Sequence, residues 1–166
     1  LDLVQEPQTD PLHFRNALGR FATGIAVVTM FVPEDGLLGV TINSFASVSL
    51  EPPLVLFSLA QDSQMLEPLL EQERFGISVL GSDQQRLSEQ FAFEEHPRSY
   101  DKADIDMDSG QTPLLVGALA VLDCRVRQVV EGGDHQIILG EVESFEFREG
   151  DPLLYFQGRY AWLNSR

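Results

Sequence analysis

The spacing of apolar residues changes several times along this chain, and each change predicts a different element. Apolar residues recur at helical spacing from Phe14 to Ala22, after a candidate N-cap at Asp10 and a proline at the first helical position. This pattern predicts one amphipathic helix that continues up to Gly24. The β-branched run IAVVTMFV at 25–32 is followed by the turn PEDG and a second apolar arm, which together predict a hairpin.

The middle of the chain predicts strands that are separated by short helices. LVLFSLA at 54–60 and FGISVL at 75–80 have the composition of buried strands. Residues 63–73 contain Pro68 and predict a loop that leads into a short helix. Asp83 is positioned to cap a helix that runs through Phe91. From Phe93 to Pro113 no period is convincing, so we expect a long loop there.

The last third of the chain alternates between apolar and polar residues over long stretches. ALAVLDCRVRQVV and HQIILGEVESFEF flank the turn EGGD, and after the turn REGD the run PLLYFQGRYAWL predicts a closing strand. Strands separated by turns at regular spacing favour an antiparallel barrel over βαβ units. Residues 1–10 are expected to form a flexible arm, and residues 11–166 a single domain.

Composition narrows the class of protein. A chain of 166 residues with 43% hydrophobic and 22% charged residues fits one globular domain with a substantial core. Its apolar runs are too short to cross a bilayer and no signal pattern opens the sequence, so no membrane association is expected. With Cys124 as the single cysteine no internal disulfide can form, which favours a cytoplasmic location. Cys124 lies in an alternating run and is predicted to be a buried strand residue, not a nucleophile.

Charge and missing signatures exclude further classes of function. The formal net charge is −15, with Lys102 as the single lysine, so a nucleic-acid partner is not expected. A phosphate-bearing ligand would need local dipoles, because the overall field repels it. The sequence has no Walker A, GxGxxG, HExxH, CxxC or GxSxG motif, and its three histidines are too scattered to predict a metal site.

The stretch GVTINSFASVSLEPPLVLFSLA at 39–60 carries the candidate chemistry. Five uncharged polar side chains fall within nine residues between two apolar strands, namely Thr41, Asn43, Ser44, Ser47 and Ser49. They could decorate a solvent-facing strand. They could also form a polar strip for a flat, uncharged heterocycle whose edges need hydrogen bonds and whose faces need apolar cover, as an isoalloxazine does. The residues alone therefore indicate a small-molecule-binding β-barrel, with a flavin as one candidate ligand.

Five separated motifs resemble the flavin reductase family, in the order found in that family. They are FRNALGRFATGIAVVT, the 39–60 stretch, PLLVGALAVLDCRV, GGDHQIILGEV and PLLYFQGRYAWL. The resemblance implies a mainly β fold, an antiparallel six-stranded split β-barrel of Greek-key type with a few flanking helices. It also implies a homodimer that transfers hydride from NADH or NADPH to FMN or FAD and supplies reduced flavin to a partner monooxygenase.

The resemblance also assigns cofactor-binding positions. Thr41, Asn43 and Ser44 match the family's Thr-Ala-Asn-Ser segment at the flavin ring, with Ile42 in place of alanine. The other assigned positions are Ser47, Val48 and Ser49 beside the ribityl chain and phosphate, Leu59, Ala60 and Ser63 in the loop after the next strand, Arg159 and Tyr160 in the GRY motif, and Phe91 in the helix after Asp83. The 59–63 loop contains Asp62 and no lysine or arginine, so backbone N–H groups, Ser63 and a helix start are expected to hold the phosphate.

His135 is the catalytic candidate. It matches the histidine of the family's Gly-Asp-His motif, which lies beside the flavin and is implicated in nicotinamide binding. Its alternative is a histidine at a hairpin end that faces water.

Two other functions compete with flavin reduction. One is a non-catalytic flavin binder or electron carrier with the same fold, and the other is a split barrel that handles pyridoxal phosphate or haem.

Overall fold

The fold is described by a computed structural model for residues 10–33, 35–93, 101, 104–107 and 111–163. The predicted arm at 1–10 lies outside the described residues except for Asp10, as does much of the predicted 93–113 loop. The three helices are α1 (Pro11–Leu18), α2 (Leu66–Gln72) and α3 (Gln85–Phe93). The strands are β1 (Thr23–Gly24), β2 (Ala26–Val32), β3 (Gly36–Ile42), β4 (Ala46–Leu50), β5 (Pro53–Ala60), β6 (Arg74–Val79), β7 (Ile105–Asp106), β8 (Leu114–Leu115), β9 (Ala120–Gly132), β10 (His135–Phe147), β11 (Leu154–Phe156) and β12 (Arg159–Ala161).

Seven of the strands form one antiparallel sheet, in the order β3-β2-β6-β9-β10-β5-β4. The predicted mainly β, antiparallel character is confirmed, but the sheet has seven strands where six were expected. The difference arises at Asn43–Phe45. The arm expected to continue from β3 breaks there, and Ala46–Leu50 instead pairs with β5.

The connection between β3 and β4 closes this sheet into a barrel. The two strands are its opposite edges, yet only three residues separate Ile42 from Ala46. Four Cα–Cα steps span at most about 14 Å, whereas the edges of a flat seven-stranded sheet lie about 29 Å apart. The sheet must therefore curl until β3 approaches β4, and residues 43–45 cross the remaining split.

Residues that face the barrel core alternate along the strands with residues that face a second core outside the barrel wall. Val28 and Met30 of β2 point into the first core with Phe57, whereas Val27 points into the second. Because β2 is buried on both faces, its sequence is a continuous apolar run and not an alternating one.

Helix α3 covers the outer face of β3 through one close contact. A Cβ at Gly39 would lie 2.5 Å from Cδ1 of Phe91, so only glycine lets this ring pack against the strand. Phe91 is fully buried in the second core. The contact holds α3 beside the end of β3, where the candidate strip begins.

Other sequence expectations differ from the structure at element ends. Asp10 caps α1 as predicted, its carboxylate accepting from Leu12 N at 3.0 Å, but the helix ends at Leu18 and not near Gly24. The closing segment is a hairpin and not one strand. Gln157 and Gly158, with φ of 52° and 77°, turn the chain between β11 and β12. The sequence does not predict this turn, because glutamine rarely adopts the left-handed backbone conformation.

Cys124 occupies the buried strand position that its alternating pattern predicts. Burial, and then the charge of Asp123, raise the pKa of its thiol to about 12, which keeps it in the unreactive neutral form.

None of the helices in the described part of the chain has the length and apolar character needed to cross a bilayer.

Candidate functional site

Two cavities meet at the end of β3 and share Thr41, Ile42 and Asn43. The larger cavity has a volume of about 510 Å³ and the smaller about 240 Å³. The remaining residues of the larger cavity are Ile25, Ser88, Glu89, Ala92, Tyr155, Gly158, Arg159 and Tyr160. Those of the smaller cavity are Val40, Ser44, Ser58, Leu59, Ala60, Ser63 and His135. A ligand held at residues 41–43 therefore borders both spaces.

The polar residues Asn43 and Ser44 follow directly after the last ladder pair of β3, which joins Ile42 to Ala26. Ser44 Oγ accepts from Ser58 N at 3.0 Å and donates to Ser58 O at 3.4 Å, so it replaces ladder bonds between the crossing segment and β5. Thr41 Oγ1 donates to Ser88 O at 2.7 Å and ties the strand end to α3. Two of the polar side chains thus hold the split in place.

Asn43 is left available to a ligand. It is exposed, lines both cavities, and has no hydrogen-bond partner for its amide within the described part of the chain. Strand β3 pairs with β2 along one side, and no strand in the described part of the chain pairs with its other side. Such an edge presents unpaired backbone N–H and C=O groups. The strip therefore offers both donors and acceptors to the edge of a planar heterocycle.

The smaller cavity ends at His135. His135 opens β10 opposite Ala60 of β5, so the register of these two strands places the histidine beside the predicted 59–63 loop. Its Nδ1 lies 2.7 Å from Asp134 Oδ1, and this hydrogen bond lowers the pKa of the Asp134 carboxyl. Because the contact occupies Nδ1, Nε2 is the ring nitrogen left for a ligand.

Residues 59–63 bring no cation to the smaller cavity. Ser63 Oγ accepts from Met65 N at 3.3 Å, and no lysine or arginine among the described residues lines this space. Helix α2 has seven residues and begins at Leu66 without a side-chain cap, and the phosphate role expected of its start stays a prediction.

The larger cavity is walled by α3 and by the β11–β12 hairpin. The Ser88 hydroxyl, which is fully buried, lies 2.9 Å from the Tyr160 hydroxyl. The Tyr155 and Tyr160 rings make an edge contact with centroids 5.9 Å apart. Ser88 thus connects Thr41, through its carbonyl, with Tyr160, through its hydroxyl. Sequence reasoning missed Ser88 and Tyr155, since contacts between distant segments leave no local pattern.

Four sequence-predicted residues line neither cavity. Ser47, Val48 and Ser49 belong to the edge strand β4, where a register shift between Ser47 and Ser49 disturbs the pairing with β5. Phe91 packs under Gly39 in the second core and lines neither cavity, and its predicted contact with a cofactor stays a prediction. Its ring faces β3 and positions the helix. The other predicted positions, at 41–44, 59, 60, 63, 135, 159 and 160, all line a cavity.

Comparisons with known proteins agree on one family. Residues 18–164 match the model of the flavin reductase like domain. FMN reductase (NADH) of Agrobacterium fabrum is 45% identical over 148 residues, which cover 89% of this chain and 83% of that protein. The reductase component of 4-hydroxyphenylacetate 3-monooxygenase of Thermus thermophilus is 40% identical over 151 residues, covering 90% and 95%. An NADH:FAD oxidoreductase of Streptomyces globisporus, solved with NAD and FAD fragments, has a TM-score of 0.86 at 35% identity, covering 99% and 98%.

Asn43→Leu tests whether the strip binds a flavin. Leucine would leave the polar edge of a bound flavin ring without its partner, so we expect a loss of about 1–3 kcal/mol, or about 5- to 150-fold in affinity. Titration of the purified protein with oxidised flavin measures this. Gln128→Leu changes an exposed amide on β9, outside both cavities, and serves as the control. Equal affinity in folded Asn43→Leu would show that the strip is surface decoration.

Proposed function

This chain belongs to the flavin reductase family, and from that premise we propose that it transfers hydride from a nicotinamide dinucleotide to FMN or FAD at residues 41–44. The resemblance inferred from the sequence motifs is thereby confirmed. One observation supports residues 41–44 as the place of this reaction. The segment 41–43 shared by the two cavities ends in the Asn43 amide, which has no hydrogen-bond partner among the described residues, with His135 on one side and Tyr160 on the other.

The residues present fit a flavin. The ring edge of a flavin needs several donors and acceptors, which the Asn43 amide and the free edge of β3 can supply. Ile42, Leu59 and Ala60 offer apolar cover beside them. When bound, the flavin would supply a two-electron acceptor for the hydride of the dinucleotide. Electrons balance without a further reductant, because the dinucleotide gives up one hydride and the flavin gains it with a proton from water.

The chain's own contribution is orientation and shielding from water. Asn43 and the β3 edge would fix one ring at the junction of the cavities, while the Ser88–Tyr160 pair holds the opposite wall. His135, its Nδ1 fixed by Asp134, would present Nε2 to the carboxamide of the nicotinamide. Positioning two rings in contact can account for much of such a rate enhancement, so no protein acid or base is required.

Relatives suggest what accepts the product. The matched Thermus thermophilus protein is the reductase component of a monooxygenase. We therefore place this chain in the same role, supplying reduced flavin to a partner monooxygenase. The sites named above would then bind flavin firmly enough to orient it and weakly enough to release it. We also propose a cytoplasmic location, on the basis of the single buried, neutral thiol.

A second copy of the chain is proposed to complete the site. Helix α1 has no buried residue, yet Leu12, Phe14 and Leu18 are each more than half exposed, and Phe21 after it is 78% exposed. Leu50, at the end of β4, is 94% exposed. Exposed apolar side chains in this number are typical of a surface that contacts another protein. A homodimer would bury them, and it could cover the exposed side of a flavin bound at residues 41–44. Within each copy, residues 11–166 are proposed to act as one domain, preceded by an arm at 1–10.

Mixing the purified protein with NADH and excess FMN under nitrogen tests the activity. We expect loss of the nicotinamide absorbance band together with bleaching of the flavin, since both changes report one hydride transfer. A non-catalytic flavin carrier would bind FMN and leave NADH unoxidised. A protein that purifies with a pyridoxal phosphate or haem spectrum would reject the proposal in favour of that cofactor.

His135→Ala separates two roles for the imidazole. If it orients the nicotinamide equally in ground and transition states, KM for the dinucleotide should rise several-fold with little change in kcat. If the imidazole instead donates a proton, its removal should lower kcat by about 100-fold, and kcat of the parent should depend on pH. Steady-state kinetics at two pH values distinguishes the two, with His13→Ala on α1 as the control. If kcat and KM of His135→Ala equal those of the parent, His135 is a solvent-facing hairpin residue without a role in the reaction.

Sedimentation tests the second copy. We expect a mass of about twice the chain mass of 18.5 kDa. Phe21→Asp should shift the protein toward monomer and weaken flavin binding, because a carboxylate would be buried in the apolar contact. Asn16→Asp adds the same charge at an exposed polar position of α1 and should leave the mass unchanged. A parent protein that is monomeric and fully active would contradict the proposal.

A further inference from the structure

The larger cavity contains two opposite charges that the proposed chemistry does not use. Arg159 of β12 and Glu89 of α3 both line it. Within the described part of the chain they form no ion pair with each other, and Arg159 has no salt-bridge partner at all. Glu89 is half-buried and accepts a hydrogen bond from Gln85 Nε2 at 2.7 Å, which holds its carboxylate on the wall.

Arg159 is the one arginine or lysine that lines either of these two cavities among the described residues. The chain carries a net charge of −15, so its overall field disfavours phosphate, and a local cation would offset that repulsion. A guanidinium binds phosphate in a bidentate manner and stays charged at any working pH. The larger cavity is therefore where the phosphates of a nucleotide would be held.

The volumes of the two cavities also favour the larger one as the site of the dinucleotide. Ligand sites for molecules of drug size usually occupy about 300–1,000 Å³. The larger cavity, at about 510 Å³, falls in this range, whereas the smaller, at about 240 Å³, suits only part of such a molecule. A dinucleotide whose reacting ring stacks on a flavin held at residues 41–44, with its phosphates toward Arg159, would use the larger space.

We propose that Arg159 binds the pyrophosphate of the dinucleotide and that Glu89 makes the larger cavity select NADH over NADPH. This inference rests on the proposed function. A carboxylate can accept a hydrogen bond from the ribose 2′-hydroxyl of NADH, the recognition used by acidic residues in other dinucleotide sites. The 2′-phosphate of NADPH would instead bring like charges together, with no second cation to compensate.

Kinetics with both dinucleotides tests the selectivity. With saturating FMN, Glu89→Gln should shift the ratio of kcat/KM for NADPH over NADH upward by about five- to tenfold, because the repulsion is removed while the shape is kept. Glu71→Gln, an exposed change on α2 outside the larger cavity, should leave the ratio unchanged. An unchanged ratio in Glu89→Gln, and again in Glu89→Ala, would overturn the role of Glu89.

Binding without flavin tests the phosphate contact. Calorimetric titration with NAD⁺ should show about tenfold or greater weakening in Arg159→Gln and a flatter dependence on salt, since one charge-assisted contact is lost. Arg127→Gln, an exposed arginine of β9, is the control. Unchanged NAD⁺ affinity in Arg159→Gln would overturn its role.

FAD also contains a pyrophosphate, so kinetics with FAD and with FMN test whether Arg159 binds FAD instead of the dinucleotide. If Arg159→Gln raises KM for FAD but leaves KM for FMN and NADH unchanged, the cavity holds the adenylate half of FAD and the proposal is overturned. If the parent oxidises no NADH with either flavin, the proposed function itself fails. If the parent is active and the Arg159 and Glu89 variants behave like it, only the roles of these two residues are refuted.

Discussion

The short connection between the two edges of the sheet is the constraint on which the rest of the structure depends. β3 and β4 stand at opposite ends of a seven-stranded order, and three residues must join them. The sheet is therefore curled, and residues 43–45 cross the split where the ladder cannot continue. Buried backbone groups at such a break need other partners. Ser44 supplies one of them through its two contacts with Ser58.

The same break creates the proposed site. Because the crossing leaves the end of β3 open on one side, the 41–43 segment borders the larger cavity toward α3 and the smaller cavity toward β10. Packing of Phe91 against Gly39 fixes α3 there, and the carbonyl and hydroxyl of Ser88 then link Thr41 to Tyr160. A ring at the junction would meet rigid elements on both sides. That is the requirement for holding two cofactor rings in contact.

The sequence predicts features that depend on local spacing and misses those that depend on closure of the barrel. The β2 run, the EGGD hairpin and the Asp10 cap follow from neighbouring residues. The break at residue 43 does not, because alternation continues on both sides of it and only the pairing of β4 with β5 ends the arm. Asn43, Ser44 and His135 could be selected because they stand in motifs. Ser88 and Tyr155 could not, since the Ser88–Tyr160 contact joins residues 72 positions apart. Helical spacing places Phe91 on an apolar face but does not predict that this face packs against Gly39.

A crystal structure of the protein with oxidised flavin bound would test the central claim most directly, which is that the interrupted strand end holds the ring. The account predicts the polar edge of the ring within hydrogen-bond distance of the 41–44 segment, with the Asn43 amide as one partner, and a ring face open toward the larger cavity. Flavin bound elsewhere, with Asn43 still facing water, would contradict it.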